Sequence, residues 1–295
     1  MGLPSNKPTK QENVMIEVNE EVLANINRSF VIPPRPHILA ELKDIMEQDD
    51  PVLVDISDVI SKDVAISAAI LKLINSPAFG LSRTVSDIRQ AVMFLGFDGV
   101  YSLVQGLKLK EAFSATKCSI NLDRFWDSAE EIAQVSMFIG SKIKSKVPVE
   151  NLYAIGLFHD CGIPIMAVKY DDYVKVLGES NRNYDETLVD IEERVYKTNH
   201  AVIGYYISNT WHLPKDICKL ILRHHDLTYL NDVEGTIDEL SFAVIKMAEN
   251  IVYTARRHIA APDWMHLKES VLDTLGFTED DYNDVKEDAI DSILG

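Results

Sequence analysis

The stretch Leu152-Tyr-Ala-Ile-Gly-Leu-Phe-His159-Asp160-Cys-Gly162 decides how this chain is read. Leu152, Ile155 and Phe158 recur at helical spacing, and the row that carries Leu152 and Ile155 reaches His159 one turn later. An imidazole and a carboxylate therefore close a buried helix. Gly162 and Pro164 are expected to stop it, which puts His159 and Asp160 in its last turn, beside a backbone break where a cavity can form. On these two residues alone the plainer account is a core histidine hydrogen-bonded to its neighbours, so the rest of the chain has to carry any functional reading.

Working outward, the pattern is helical almost throughout. Pro33, Pro34 and Pro36 introduce a helix with Ile38, Leu39, Leu42, Ile45 and Met46 on one face. A second helix follows Asp55, and a third carries Ile66, Ala69, Ile70, Leu73 and Ile74. Ile88, Ala91, Val92 and Leu95 define a helix that stops at Gly96, and another starts at Gly99. Downstream, Phe125, Ser128, Ile132, Val135 and Ile139 form one row, so Ser128 is expected to face inward although it is polar. His200 lies on an apolar row with Ile203 and Ile207, beside Gly204. Ile217, Leu220, Ile221 and His224 share a face, with His225 adjacent. Leu240 to Val252 reads as the last strong helix, with Phe242, Ile245, Glu249 and Val252 in one row. No convincing alternating strand pattern and no fixed-period repeat occurs.

These rows predict an all-α, two-lobed helical bundle: a loose tail over 1–20, a first helical lobe over 21–115 and a second over 116–295. The stretch after Pro262, with ten acidic and two basic residues, reads as a solvated helical face.

Composition narrows the classes. A chain of 295 residues with 46% hydrophobic residues is long enough to bury a sizeable core, and no apolar run is expected to reach membrane-spanning length. The three cysteines, Cys118, Cys161 and Cys218, are odd in number and widely spaced, and the N-terminus lacks a secretory signal, so a reducing cytoplasm fits. A net charge of −17, with basic residues only in short groups such as Lys142, Lys144 and Lys146, argues against direct nucleic-acid binding.

His159, Asp160, His200, His224, His225 and Glu249 are each expected on or beside a buried face of the second half. Helical bundles build metal sites from side chains that project inward from several helices. Imidazoles and carboxylates suit zinc, iron, manganese or nickel, and two cations can share a bridging carboxylate. Four of the eight histidines on helical apolar rows in one half of the chain is better evidence than any one of them, although a set of core histidines bonded to carboxylates accounts for the same pattern.

Taken in order, these residues resemble the HDOD proteins, which look like degenerate relatives of the HD-domain metal-dependent phosphohydrolases. The resemblance runs from Asn27 to Ile293. It rests on Pro33-Pro34 with Leu39, Ile70-Leu-Lys-Leu-Ile-Asn75-Ser76, Ala91-Val-Met-Phe-Leu95-Gly96, Phe125-Trp126, His159-Asp160-Cys-Gly162, His200 with Gly204, Trp211-His-Leu213-Pro214 and His224-His225. It implies an HD-like second lobe and a metal set of His159, Asp160, His200, His224, His225 and Glu249.

The departures shape the expectation. Where the hydrolases carry a first histidine, this chain has Ser128; where two-metal relatives carry a lysine after the His-Asp-x-Gly tetrad, it has Ile163; their late aspartate falls at Glu249. The resemblance therefore implies a bacterial signalling protein that acts by binding a protein or a nucleotide-like ligand, away from membranes, with a divalent cation (zinc, manganese, iron or nickel) held weakly or not at all. The alternative is a metal-dependent phosphohydrolase acting on a nucleotide or cyclic dinucleotide, and a purely structural module is a third class.

Overall fold

The computed structural model describes residue 26 and residues 29–113, 117–143, 147–233 and 235–295. The expected tail over 1–20 lies outside them, as do residues 114–116 of the expected connection between lobes. Among the described residues there are helices and loops and no strand, so the chain is all-α.

Four helices lead: α1 (His37–Met46), α2 (Leu53–Ser61), α3 (Val64–Ile74) and α4 (Ile88–Phe113). Pro36 precedes α1, whose Leu39, Leu42 and Ile45 are buried at helical spacing. Asp63 starts α3 by accepting from the amides of Ala65 and Ile66 at 3.0 and 3.1 Å. The expected stop at Gly96 appears as a break inside α4, with φ 68 and ψ −175, a region open to glycine. Beyond it α4 is buried on almost every side, because it packs on α1, α2 and α3 and also on the helix that ends at Phe158.

That helix is α6 (Val149–Phe158), preceded by α5 (Leu122–Lys142) and followed by α7 (Ile163–Lys169). Next come α8 (Tyr173–Ser180), α9 (Leu188–Tyr196), α10 (His200–Thr210), α11 (Lys215–Arg223) and α12 (Tyr229–Asp232). The chain closes with α13 (Ile237–Arg257), α14 (Trp264–Leu275) and α15 (Glu279–Ala289). α6 sits at the centre, packed on α4, α5, α11 and α13. The two halves are also pinned by Gln105, whose buried Nε2 donates to the Trp211 carbonyl at 2.8 Å, while Trp211 Nε1 donates to the Pro33 carbonyl at 3.1 Å.

Three expectations need correction. First, Gly162 and Pro164 do not stop α6: the helix ends at Phe158 with His159 as its cap and Asp160 beyond it, while Gly162, with φ −75, and Pro164 open α7. Glycine is required there for closeness, since a Cβ would stand 1.9 Å from the His200 carbonyl oxygen. Second, the window Asn151–Lys169 is long and apolar enough to cross a membrane, with mean hydropathy 1.2 over 19 residues. It is 83% buried within the bundle, because it is the core pair α6 and α7. Third, the acidic C-terminal stretch is more than a solvated face. Trp264, Leu267, Val271, Leu272 and Leu275 of α14 and Tyr282, Val285 and Ala289 of α15 are buried, a stripe that composition alone hides behind the acidic residues.

Candidate metal centre

Each imidazole of the site is held by its Nδ1. His159, at the end of α6, has Nδ1 2.8 Å from the Gly156 carbonyl; His224, at the end of α11, has Nδ1 2.7 Å from the Ile221 carbonyl. A carbonyl only accepts, so both rings carry their proton on Nδ1 there and turn Nε2 inward. His200 opens α10, which Asn199 caps by accepting from the Val202 amide at 2.9 Å. Its Nδ1 donates to Glu192 at 2.7 Å, and its Nε2 likewise points inward. His225 Nδ1 is 2.7 Å from Asp263.

The inward nitrogens converge on Asp160. Its Oδ1 lies 3.2 Å from His200 Nε2 and 3.2 Å from His224 Nε2, while its Oδ2 lies 3.4 Å from His159 Nε2. Donor atoms of Asp160, His200, His224 and His225 all fall within 4.8 Å of one another. Glu249 stands on the other side, with Oε1 3.2 Å from His159 Nε2. All six residues singled out from the sequence are thus brought together by four separate segments.

Burial makes the electrostatics decisive. His159, His200 and His224 are at most 1% exposed. Burial alone opposes charging His159, yet Asp160 and Glu249 beside it push its pKa up to about 10. Burial likewise opposes charging His200, and Glu192 with Asp160 pushes it up to about 10. Burial and the neighbouring His225 push His224 down to about 3. Burial would raise the Asp160 carboxyl, but His159 and the other imidazoles hold it well below the usual range.

A divalent cation fits these residues. The Nε2 atoms of His200 and His224 are buried, 3.3 Å apart, and each 3.2 Å from the same oxygen of Asp160. Nδ1 atoms bonded to carbonyls or carboxylates, leaving Nε2 atoms convergent, are the outer-shell arrangement that orients metal-binding histidines. Asp160, His200, His224 and His225 would hold the ion, which would supply Lewis acidity and fixed positive charge there.

A cavity of about 1120 Å³ opens over the cluster. His159, Asp160, Glu249, Ser128 and Ile163 line it, with exposed Arg124 and Arg257 further out. The row from Phe125 through Ser128 to Ile132 faces this cavity, while the fully enclosed face of α5 carries Trp126, Ala129 and Ala133. Three polar residues escape a reading of the sequence. Glu192 sits on a helix face written Glu-Glu-Arg, which reads as solvated. Asp263 lies in a loop. Lys246 carries the one faint signal, a lone lysine inside the apolar run Phe242 to Ala248. It is 3% exposed at its side chain and bonds Glu249 Oε2 at 2.6 Å and Asp263 Oδ2 at 3.0 Å.

An all-helical bundle with a His-Asp pair at the end of its central helix, and further histidines turned toward it, is an HD-like helical domain with a candidate metal site. Residues 32–227 match the HDOD domain, and the chain belongs to the HDOD family. A protein of uncharacterised function from Treponema pallidum (strain Nichols) is 26% identical over 215 residues, 72% of this chain. The chain spans 41% of that relative's length. Among solved structures, an HDOD domain protein of unknown function from Geobacter sulfurreducens superimposes with TM-score 0.65 at 22% identity, covering 92% of this chain and 94% of that one. A protein from Shewanella amazonensis SB2B, provisionally named a metal-dependent phosphohydrolase, gives 0.66 at 20% identity, covering 92% and 96%. At these identities the two structures speak for the fold.

Proposed function

We propose that this chain is a regulatory HDOD protein of a bacterial cytoplasmic signalling system. It holds one divalent cation on Asp160, His200, His224 and His225, and its cavity takes up an anionic small ligand, of nucleotide type, without turning it over. A partner protein reads the occupied state. The observation that carries this reading is the pair Ser128 and Ile163. Both line the cavity beside His159 and Asp160, and neither a neutral hydroxyl nor a hydrocarbon supplies the donor and the positive charge that phosphoryl transfer demands. The exposed Arg124 and Arg257, which line the same cavity, favour an anion.

The phosphohydrolase reading keeps one favourable observation, the convergence of three Nδ1-anchored imidazoles on Asp160. The two separate cleanly in an assay with magnesium, manganese, iron or zinc and a panel of cyclic dinucleotides, cyclic mononucleotides and nucleoside triphosphates. The expected result is nucleotide binding, seen as a thermal shift, with no hydrolysis above that of Asp160→Ala. Hydrolysis that disappears in Asp160→Ala would replace the proposal with the enzyme reading.

A further inference from the structure

The two oxygens of Asp160 face different surroundings. Oδ1 faces the Nε2 atoms of His200 and His224, each 3.2 Å away, with His225 completing that side. Oδ2 faces His159 Nε2 at 3.4 Å, and the same nitrogen meets Glu249 Oε1 at 3.2 Å. A carboxylate flanked in this way has the layout in which two cations share one bridge.

The two sides differ in charge. Glu249, on the His159 side, and Asp263, whose Oδ2 also lies 2.7 Å from His225 Nδ1, are clamped on the Lys246 ammonium at 2.6 and 3.0 Å. The side chains of Glu249 and Asp263 are 15% and 12% exposed, and that of Lys246 is 3% exposed. Carboxylates buried this deeply need a cation, since an uncompensated buried charge is strongly unfavourable. Here the compensating cation is part of the chain. Among the described residues no Lys or Arg ion pair reaches Asp160 or Glu192 on the His200 side.

We propose that the Lys246 ammonium stands in for a second metal ion on the His159–Glu249 side of Asp160, so that this side takes no divalent cation while Lys246 is present. An ammonium has three N–H donors and no acceptor or Lewis-acid orbital. It neutralises Glu249 and Asp263, and it leaves the His159 Nε2 without a metal to bind. Ser128, which lines the same cavity, offers a neutral hydroxyl and no imidazole. The inference rests on the reading that Asp160, His200, His224 and His225 hold the single cation.

The test is a count of bound manganese per chain, by elemental analysis after equilibration and desalting, with far-ultraviolet circular dichroism to confirm folding. The proteins are the wild type, Ser128→His, Lys246→Met and the double variant. One equivalent is expected in the wild type and in Ser128→His, and two in Lys246→Met and in the double variant. A second equivalent in the wild type or in Ser128→His would overturn the proposal, as would, against a wild type that holds one, a single equivalent in both folded Lys246→Met proteins. Should Lys246→Met fail to fold, the Ser128→His count decides alone: a restored imidazole that gains no ion upholds the ammonium, and one that gains an ion overturns it. A wild type with none and a Lys246→Met with one would uphold Lys246 as the stand-in while defeating the cation proposed on the His200 side. None in either protein overturns both.

Discussion

Glu192 Oε2 accepts from both the Nδ1 of His200, at 2.7 Å, and the His200 backbone amide, at 2.9 Å, with both side chains fully buried. Its other oxygen accepts from the Tyr173 hydroxyl. One carboxylate therefore fixes the ring orientation of His200, its tautomer and the start of α10 together. Glu192→Gln keeps the shape and removes the charge that makes the imidazole a strong donor. It is expected to weaken manganese or zinc binding by about 10–100-fold, measured by titration calorimetry. Unchanged affinity would show that His200 takes no part in holding the ion.

Gly162→Ala tests the closeness of α7 to α10. The new Cβ would stand 1.9 Å from the His200 carbonyl oxygen and 2.9 Å from the Gly204 amide nitrogen, both backbone atoms that cannot swing aside. The start of α10 has to shift, at a cost of about 1–3 kcal/mol in urea unfolding, and His200 moves with it. Stability within a few tenths of the wild type, together with an unchanged cation affinity, would contradict this packing.

The two sides of Asp160 separate by substitution. A cation that binds only the folded chain stabilises it by about 2.7 kcal/mol at 100 times its dissociation constant. That stabilisation is expected to vanish in His224→Ala and Asp160→Ala and to persist in Glu249→Gln. Its loss in Glu249→Gln and survival in His224→Ala would place the ion on the opposite side.

The pH dependence follows from His159 and His200, whose pKa values are pushed up to about 10, above the ordinary imidazole value. A raised value in the folded state means that the stabilisation is fully present below about 6.5, the unfolded value, and is lost as pH rises toward 10. In a chelator, the thermal midpoint should therefore fall between about pH 6.5 and 10. With saturating cation the loss should be smaller, because an ion replaces the protons, and cation affinity should itself rise with pH over the same range. A metal-free midpoint that holds level or rises across that range would refute the assignment of protons to these rings.

The glutamate at 249 gives the acid limb. Burial alone would raise its carboxyl, but Lys246 and His159 hold it at about 2. Its contribution is present above the ordinary carboxylate value and is lost as pH falls through about 2. Acid unfolding of Lys246→Met should therefore begin at a higher pH than that of the wild type, followed by circular dichroism.

Much of this molecule is written locally. The helical rows around Leu39, Ile70, Ile155 and Ile217 follow from a period of 3.6 residues, and the placement of His159, His200 and His224 on buried faces follows from the same period. The break at Gly96 was legible because only a glycine readily takes that backbone conformation. What the sequence by itself determined was thus an all-helical chain with imidazoles and carboxylates turned inward. Tertiary structure alone decided which inward groups meet. Glu192 reaches His200, and Asp263 reaches His225 and Lys246, across loops and separate helices, and no periodicity encodes a contact between elements. Only the packed bundle shows that Gly162 is there for the His200 carbonyl, and that the Lys246 ammonium is held by Glu249 and Asp263 while imidazoles face both oxygens of Asp160. The reason is physical: burial is a property of one helix face, whereas the charge balance of a buried cluster depends on every element that closes over it.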